Sequence, residues 1–165
     1  MPEARPGPWW RWLALSAVDA AAHLSTKGWV CAAFQVGDVH VVTPFFNLVL
    51  WHNPGAAFSF LAGAGGWQRW FFVAVTLAVS AVILAMLRKG GGNRLPATAA
   101  AAVLGGALGN LWDRLTLGHV VDFIQLHAAG YYWPAFNVAD SAITVGVVLI
   151  LWDGVRDARA ARAGQ

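Results

Sequence analysis

The chain has 165 residues, of which 58% are hydrophobic and only 12% are charged, and its mean hydropathy is +0.55. A soluble globular domain has fewer apolar and more charged residues than this. The net charge is +3, but the basic residues are scattered among apolar runs instead of forming a stripe with aromatic residues, which argues against nucleic-acid binding. We therefore predict a single integral membrane domain, residues 1–165, with no separate soluble domain.

Long apolar stretches predict four membrane spans, at about residues 9–30, 70–87, 95–112 and 137–155. Asp19, His23 and Lys27 interrupt the first stretch, whose basic start and small residues are also compatible with a cleaved signal peptide. These three polar residues recur at every fourth position and would line one face of a helix. That spacing favours a retained span, so the predicted fold class is membrane all-α with four transmembrane helices.

Basic residues indicate the orientation of the spans, because cytoplasmic loops are enriched in Lys and Arg. Eight of the eleven basic residues precede the first span, flank the KGGGNR loop or occupy the C-terminal tail: Arg5, Arg11, Arg88, Lys89, Arg94, Arg156, Arg159 and Arg162. The other three lie toward the opposite side: Lys27, Arg69 and Arg114. We therefore expect a multi-pass protein with both termini in the cytoplasm and its two longer connections, about residues 31–69 and 113–136, outside.

The first outer connection contains VHVVTPFFNLVLWHN, a segment rich in β-branched and aromatic residues that predicts a short pair of strands broken at Pro44. The NPGAAFSF segment that follows predicts a turn and a short amphipathic stretch. Tryptophans and tyrosines near the span ends are typical of interfacial aromatic belts. The expected architecture is thus four helices with a small extracytoplasmic element of strands and an amphipathic helix.

Two aspartates, Asp122 and Asp140, lie in apolar sequence on the outer side. Asp140 lies about one turn inside the fourth span, and Asp122 is flanked by apolar residues in GHVVDFIQLH. A buried unpaired charge is costly, so ionisable residues in such positions are rare and usually functional. Two carboxyl groups sharing an apolar site cannot both ionise easily, so one keeps a proton while the other acts as a base. The pair predicts the acid/base chemistry of an aspartic protease near the outer membrane face.

A further polar set lies in GGALGNLWDR, where Asn110 and Arg114 are four residues apart and would share one helix face. We expect these two residues to belong to the site. The glycines Gly105 and Gly109 in the same segment have the spacing of close helix contacts, and we interpret them as packing positions.

Some of these residue types also suit two other chemistries. His119, Asp122 and His127 are of residue types that bind zinc, but they lack the H-E-x-x-H spacing of a metalloprotease, and we expect no metal or other cofactor. The rival function is a proton-coupled membrane transporter or channel component that uses Asp122 and Asp140 to relay protons. Such a protein would place its acids near the bilayer midplane and would commonly contain internal repeats, neither of which this sequence predicts.

Four motifs, in the order NPGAAFSFL, GGALGNLWDR, GHVVDF and AFNVADSAITVG, resemble those of the bacterial lipoprotein signal peptidase family, also called signal peptidase II. The resemblance extends from about Lys27 to Trp152. It implies an aspartic endopeptidase of the bacterial cytoplasmic (inner) membrane. Such an enzyme removes signal peptides from lipid-modified prolipoproteins by cleaving before the diacylglyceryl-cysteine.

The resemblance also implies roles for individual residues. Asp122 and Asp140 match the catalytic pair of the family. The residues that match its polar, substrate-binding positions are Asn53, Asn110, Arg114 and Asn137.

Near the end of the first span this chain departs from the family pattern. Lys27 matches the lysine found there, but His23 stands where the family usually has an aspartate, and Asp19 lies one turn earlier. Either Asp19 supplies a shifted carboxylate or His23 takes over the role, so all three are possible supporting residues.

The implied partners are diacylglyceryl-modified prolipoproteins and membrane lipid, with cyclic lipopeptides of the globomycin type as inhibitors. We expect no nucleic-acid partner. We expect a monomer, because a compact four-span form can enclose such a site by itself.

Overall fold

A computed structural model describes residues 8–55, 61, 63–89 and 94–164 of the chain, and in these ranges it contains four α-helices and four β-strands. The helices are α1 (Trp10–Ala33), α2 (Trp67–Lys89), α3 (Arg94–Thr116) and α4 (Val138–Ala163). The strands are β1 (Val39–Thr43), β2 (Phe46–Asn53), β3 (Val120–Ala128) and β4 (Tyr131–Tyr132). Each predicted span coincides with one of the helices.

Three of these helices, α2, α3 and α4, are long and apolar enough to cross a membrane. At about 1.5 Å per residue, the 23 residues of α2 or α3 exceed the hydrocarbon thickness of about 30 Å. Helix α1 has 24 residues and is equally long, but it is not among the three. The structure therefore supports a multi-pass membrane protein, whereas a fourth span formed by α1 stays a prediction.

Helix α3 lies at the centre of the bundle, in contact with the other three helices. In its most apolar 18-residue window 61% of the residues are buried, against 22% in α2 and 17% in α4. Glycines permit this central position: a Cβ atom at Gly105 would lie 2.8 Å from the Ser16 carbonyl oxygen of α1, and one at Gly109 would lie 3.3 Å from the His23 Cβ. The interpretation of these glycines as packing positions is confirmed.

The strands form one four-stranded antiparallel sheet in the order β1-β2-β3-β4. The predicted strand pair around Pro44 is confirmed as β1 and β2. Strand β3, which contains Asp122, was not predicted as a strand. Its first four residues are all buried, so they lack the apolar–polar alternation that marks a half-buried strand. Most of the predicted amphipathic stretch, residues 56–60 and 62, lies outside the described residues, as do residues 90–93 of the KGGGNR loop.

Candidate active site

Asn137 and Asp140 form the start of α4. Asn137 is the N-cap residue, and its side-chain oxygen accepts a hydrogen bond from the Asp140 backbone N–H at 3.1 Å. In return, Asp140 Oδ2 accepts from the Asn137 backbone N–H at 3.0 Å. This reciprocal arrangement is a capping box, in which two orphan N–H groups of a helix end are satisfied by side chains. The spacing of three residues thus fixes the Asp140 carboxylate at the mouth of the helix.

Asp122 reaches the same place from the sheet. Its Oδ1 accepts from Asn137 Nδ2 at 2.8 Å, and its Oδ2 accepts from Asn53 Nδ2 at 2.8 Å. Asn53 is the last residue of β2, next to the start of β3. Because Asn137 bonds to both Asp122 and Asp140, the two carboxylates lie at one site.

The environment of Asp122 favours its protonated form. Burial raises the pKa of this carboxyl to about 7, and the nearby Asp140 charge adds to the effect. The hydrogen bonds from Asn53 and Asn137 and the more distant Lys27 charge act in the opposite direction. The sheet therefore presents a carboxyl group that can hold or release a proton near neutral pH.

Asn110 links Asp140 to α1. Its Nδ2 donates to Asp140 Oδ1 at 2.8 Å, and its Oδ1 accepts from Lys27 Nζ at 2.6 Å. Since an ammonium group can only donate, Lys27 fixes the orientation of the amide and turns its N–H toward Asp140. Asn110 and Lys27 are both buried.

Asp113 is a site residue that sequence reasoning missed. Its Oδ2 accepts a hydrogen bond from Lys27 Nζ at 2.7 Å and another from the backbone N–H of Val121 at 3.2 Å. Val121 directly precedes Asp122. Asp113 and Lys27 are each only 3% exposed. A buried lysine requires a counter-charge, and Asp113 is three residues after Asn110 on the same helix face. These two signals could have identified it.

Arg114 is close to the site but binds backbone. Its Nη2 donates to the Gly55 carbonyl oxygen at 2.7 Å and its Nη1 to the Asn110 carbonyl oxygen at 3.3 Å. The guanidinium also lies over the Phe72 ring, 5.2 Å from the centroid. Arg114 therefore ties the segment after β2 to α3 and α2.

Asp19 and His23 lie farther along α1, facing α3. His23 Nε2 and Asp19 Oδ1 are 3.1 Å apart but lack the alignment of a hydrogen bond. His23 is buried, whereas a quarter of the Asp19 side chain is exposed. The Lys27 ammonium bonds to Asn110 and Asp113 of α3, so neither Asp19 nor His23 is its hydrogen-bond partner here.

The histidines considered as metal ligands have separate partners. His119 stacks on His52 with ring centroids 3.7 Å apart. His127 Nε2 lies 3.2 Å from Asn47 Oδ1, and its ring stacks on Tyr132. Within the described residues, no group of three or more His, Cys, Asp or Glu side chains is arranged to hold a metal ion.

Comparisons with known proteins match most of the chain. The family described as "Signal peptidase (SPase) II" matches residues 14–156. The proteins named "Lipoprotein signal peptidase" from Burkholderia mallei (strain SAVP1) and Paraburkholderia phymatum (strain DSM 17167 / CIP 108236 / LMG 21445 / STM815) are 50% and 48% identical to the chain over 151 residues. Each match covers 92% of this chain and 91% of the relative.

Solved structures give the same result for the fold. A bacterial membrane enzyme determined by the in meso method is similar with a TM-score of 0.80 and 31% identity, covering 90% of this chain and 89% of its own. A second such structure has a TM-score of 0.76 and 32% identity, covering 89% and 94%. The resemblance stated from the four sequence motifs is confirmed, and the chain belongs to the signal peptidase II family.

Proposed function

We propose that the chain is a lipoprotein signal peptidase, which removes signal peptides from lipid-modified prolipoproteins by cleaving before the diacylglyceryl-cysteine. The family match and the names of the relatives support this activity. The alternative of a proton-coupled transporter or channel component has no support in these comparisons.

The proposed mechanism is that of an aspartic endopeptidase. The observation that carries it is the bridge made by Asn137, which donates from its side chain to Asp122 and from its backbone to Asp140. A pair of carboxyl groups held at one buried site can divide the roles of acid and base between them.

The chemistry then needs two proton transfers in each step. One carboxylate removes a proton from a water molecule as the water attacks the scissile carbonyl, while the other carboxyl donates a proton to the carbonyl oxygen. The roles exchange as the tetrahedral intermediate collapses and the amine leaves with a proton. A pKa of about 7 for Asp122 suits a carboxyl group that must alternate between these states near neutral pH.

The polar residues around the pair have supporting roles in this proposal. Asn110 and Asn137 hold the carboxylates in orientation, and together with Asn53 and Arg114 they bind the extended substrate backbone. Lys27 holds Asn110 in orientation. His23 and Asp19 support the site indirectly, through the contact between α1 and α3.

The proposed setting is the bacterial inner membrane. In this proposal, a single domain of four spans has both termini in the cytoplasm and the aspartate pair near the outer face, where a lipidated substrate enters laterally between helices. The network from Lys27 to Asp122 is complete within one chain, which supports action as a monomer. A cyclic lipopeptide of the globomycin type is expected to inhibit by lying across the pair.

The deciding experiment incubates the purified, membrane-embedded protein with a diacylglyceryl-modified prolipoprotein and with the same precursor lacking the lipid. We expect cleavage before the modified cysteine, with far slower processing of the unmodified precursor. Mass spectrometry of the new N-terminus identifies the cleavage position. Equal cleavage of both precursors would refute the lipid requirement. Cleavage of neither precursor would refute the proposed activity.

A further inference from the structure

The rings of His52 and His119 form a stacked pair beside the aspartate site. Their centroids are 3.7 Å apart and their planes differ by 24°. His52 is the penultimate residue of β2, and His119 directly precedes β3. His52 is exposed and His119 half-buried, so water reaches the pair.

This stack lies at the end of the β2–β3 ladder that supports the site. The last paired residues are His52 with Val121 and Asn53 with Val120. Beyond this point the chain leaves β2 and enters a turn, in which Asn53 Oδ1 accepts a hydrogen bond from the Gly55 backbone N–H. The end of a strand pair frays unless further contacts stabilise it. A pair of stacked rings can supply such a contact, because it buries aromatic surface across the two strands.

Asn53 depends on that ladder end for its position. Its carboxamide donates to Asp122 Oδ2 at 2.8 Å, so separation of β2 from β3 at this end would withdraw a hydrogen bond from Asp122. We propose that His52 and His119 are positioning residues that hold Asn53 on Asp122, and that protonation of both rings releases this hold. The proposal rests on the proposed peptidase function for its activity readout.

Electrostatics support the second part of this proposal. Two neutral imidazole rings attract each other when stacked, whereas two imidazolium rings at 3.7 Å repel. Burial lowers the pKa of His119, and His52 lowers it further, so the neutral form of His119 is favoured near pH 7. Among the described residues, the charged groups next to the stack are Asp113, which raises the pKa of His119, and Arg69, whose guanidinium lies beside Gly118 and donates to the Leu115 carbonyl oxygen.

The first test compares single substitutions with a double one. His52→Ala should lower kcat/KM for the lipidated precursor by about two- to tenfold, the range expected for losing an aromatic pair. In an Asn53→Ala background the same His52→Ala change should cause no further loss, because both changes would act through one hydrogen bond. His40→Ala is the matched control: His40 lies on β1, and its ring contacts Phe34 instead of the site. Its activity should remain at the wild-type level.

The second test uses pH and a ring that cannot titrate. His52→Phe keeps the stack, so its kcat/KM at about pH 7.5 should be close to wild type. As the pH falls below about 6.5, the ordinary pKa of histidine, wild type loses the stack and the variant does not. The ratio of variant to wild-type kcat/KM should therefore rise toward low pH. A merely structural contact would leave this ratio flat.

Three outcomes would overturn the proposal: unchanged activity in His52→Ala, an equal loss in the Asn53→Ala background, or a flat ratio for His52→Phe. If wild type fails to cleave the lipidated precursor, the proposed function is refuted. Hydrogen–deuterium exchange still tests whether the histidine stack holds the strand end. Exchange in the peptide that spans Gly118–Phe123 should then be faster in His52→Ala than in wild type or His40→Ala. Equal exchange in all three would refute the positioning role.

Discussion

Among the described residues, neutral amides and no cations make the direct side-chain hydrogen bonds to the aspartate pair. Asn53 and Asn137 donate to Asp122, and Asn110 donates to Asp140. Of the two nearby cations, Lys27 is paired with Asp113, and Arg114 donates to backbone carbonyl oxygens. A cation in direct contact would hold a carboxylate firmly in its charged form, whereas amides orient it and still allow protonation near neutral pH. At the scale of single residues, the choice of asparagine thus permits an exchange of acid and base roles.

The pair should therefore fail as a unit when either member is changed. Asp122→Asn and Asp140→Asn should each reduce kcat by at least about 100-fold, the lower end for loss of a general acid or base. The double variant should be scarcely worse than either single one, because groups that act together are not additive. Single-turnover cleavage of the lipidated precursor measures these losses, and Asp38→Asn, a partly exposed aspartate directly before β1, is the control. Multiplicative losses in the double variant would contradict a shared mechanism.

The Asp122 carboxyl group should make the stability of the protein depend on pH. Since the pKa of Asp122 rises from 3.8 to about 7 on folding, the native state binds more protons than the unfolded state between these values, and stability falls as the pH rises. Asp122→Asn removes this titration. The difference in unfolding temperature between the variant and wild type should therefore widen in favour of the variant from about pH 4 to pH 7, the window set by the shift. Thermal unfolding in one detergent tests this, and parallel pH curves would contradict it.

At the scale of elements, the close contact between α1 and α3 sets the geometry of the site. Lys27 reaches Asn110 because small residues let the two helices approach. Gly105 is central to this contact, since any side chain there would meet both Asp19 and the Ser16 backbone. Gly106 plays the same part toward α4, where an added Cβ would lie 2.7 Å from the Ala139 carbonyl oxygen.

Gly105→Ala should destabilise the protein by about 1–3 kcal/mol, the usual cost of overpacking a well-packed contact, and should lower activity by moving Lys27. Gly154→Ala is the matched control, because nothing lies within 4 Å of a Cβ at this position in α4. It should be neutral or stabilising, by up to about 1 kcal/mol. Thermal unfolding in detergent measures both variants. Equal stability of the two would show that α1 and α3 do not meet as closely as Gly105 requires.

At the scale of the whole molecule, α2 and α4 expose most of their apolar windows, as lipid-facing helices do. Tyr131 and Tyr132 of β4 and Phe45 in the turn between β1 and β2 are exposed aromatic residues. In the proposed orientation, with both termini in the cytoplasm, the sheet and the aspartate pair would share the outer face. The lipidated end of a substrate would then meet the site at the membrane surface.

Cysteine labelling tests this orientation. With Cys31 replaced by alanine, Tyr131→Cys in the sheet should react with a membrane-impermeant maleimide added to intact cells. Arg159→Cys near the end of α4 should react only after the membrane is permeabilised. Both positions are exposed, so accessibility within the protein does not limit either reaction. The reverse pattern would invert the topology.

The sequence by itself determined the features that depend on neighbouring residues. Long apolar runs placed all four helices, because helix formation and lipid compatibility are properties of a continuous stretch. β-branched and aromatic residues around Pro44 placed the first two strands. The spacing of Asn137 and Asp140 contained the capping box, since both members lie in one turn.

Tertiary structure decided the pairings between distant segments. Strand β3 was missed because its buried start has no alternating pattern, and its identity comes from pairing with β2. Asp113 was missed because its partner Lys27 is 86 residues away. Apolar periodicity indicates that a polar side chain will be buried but not which partner will satisfy it. That choice depends on how closely α1 and α4 approach α3, and the fold alone fixes that distance.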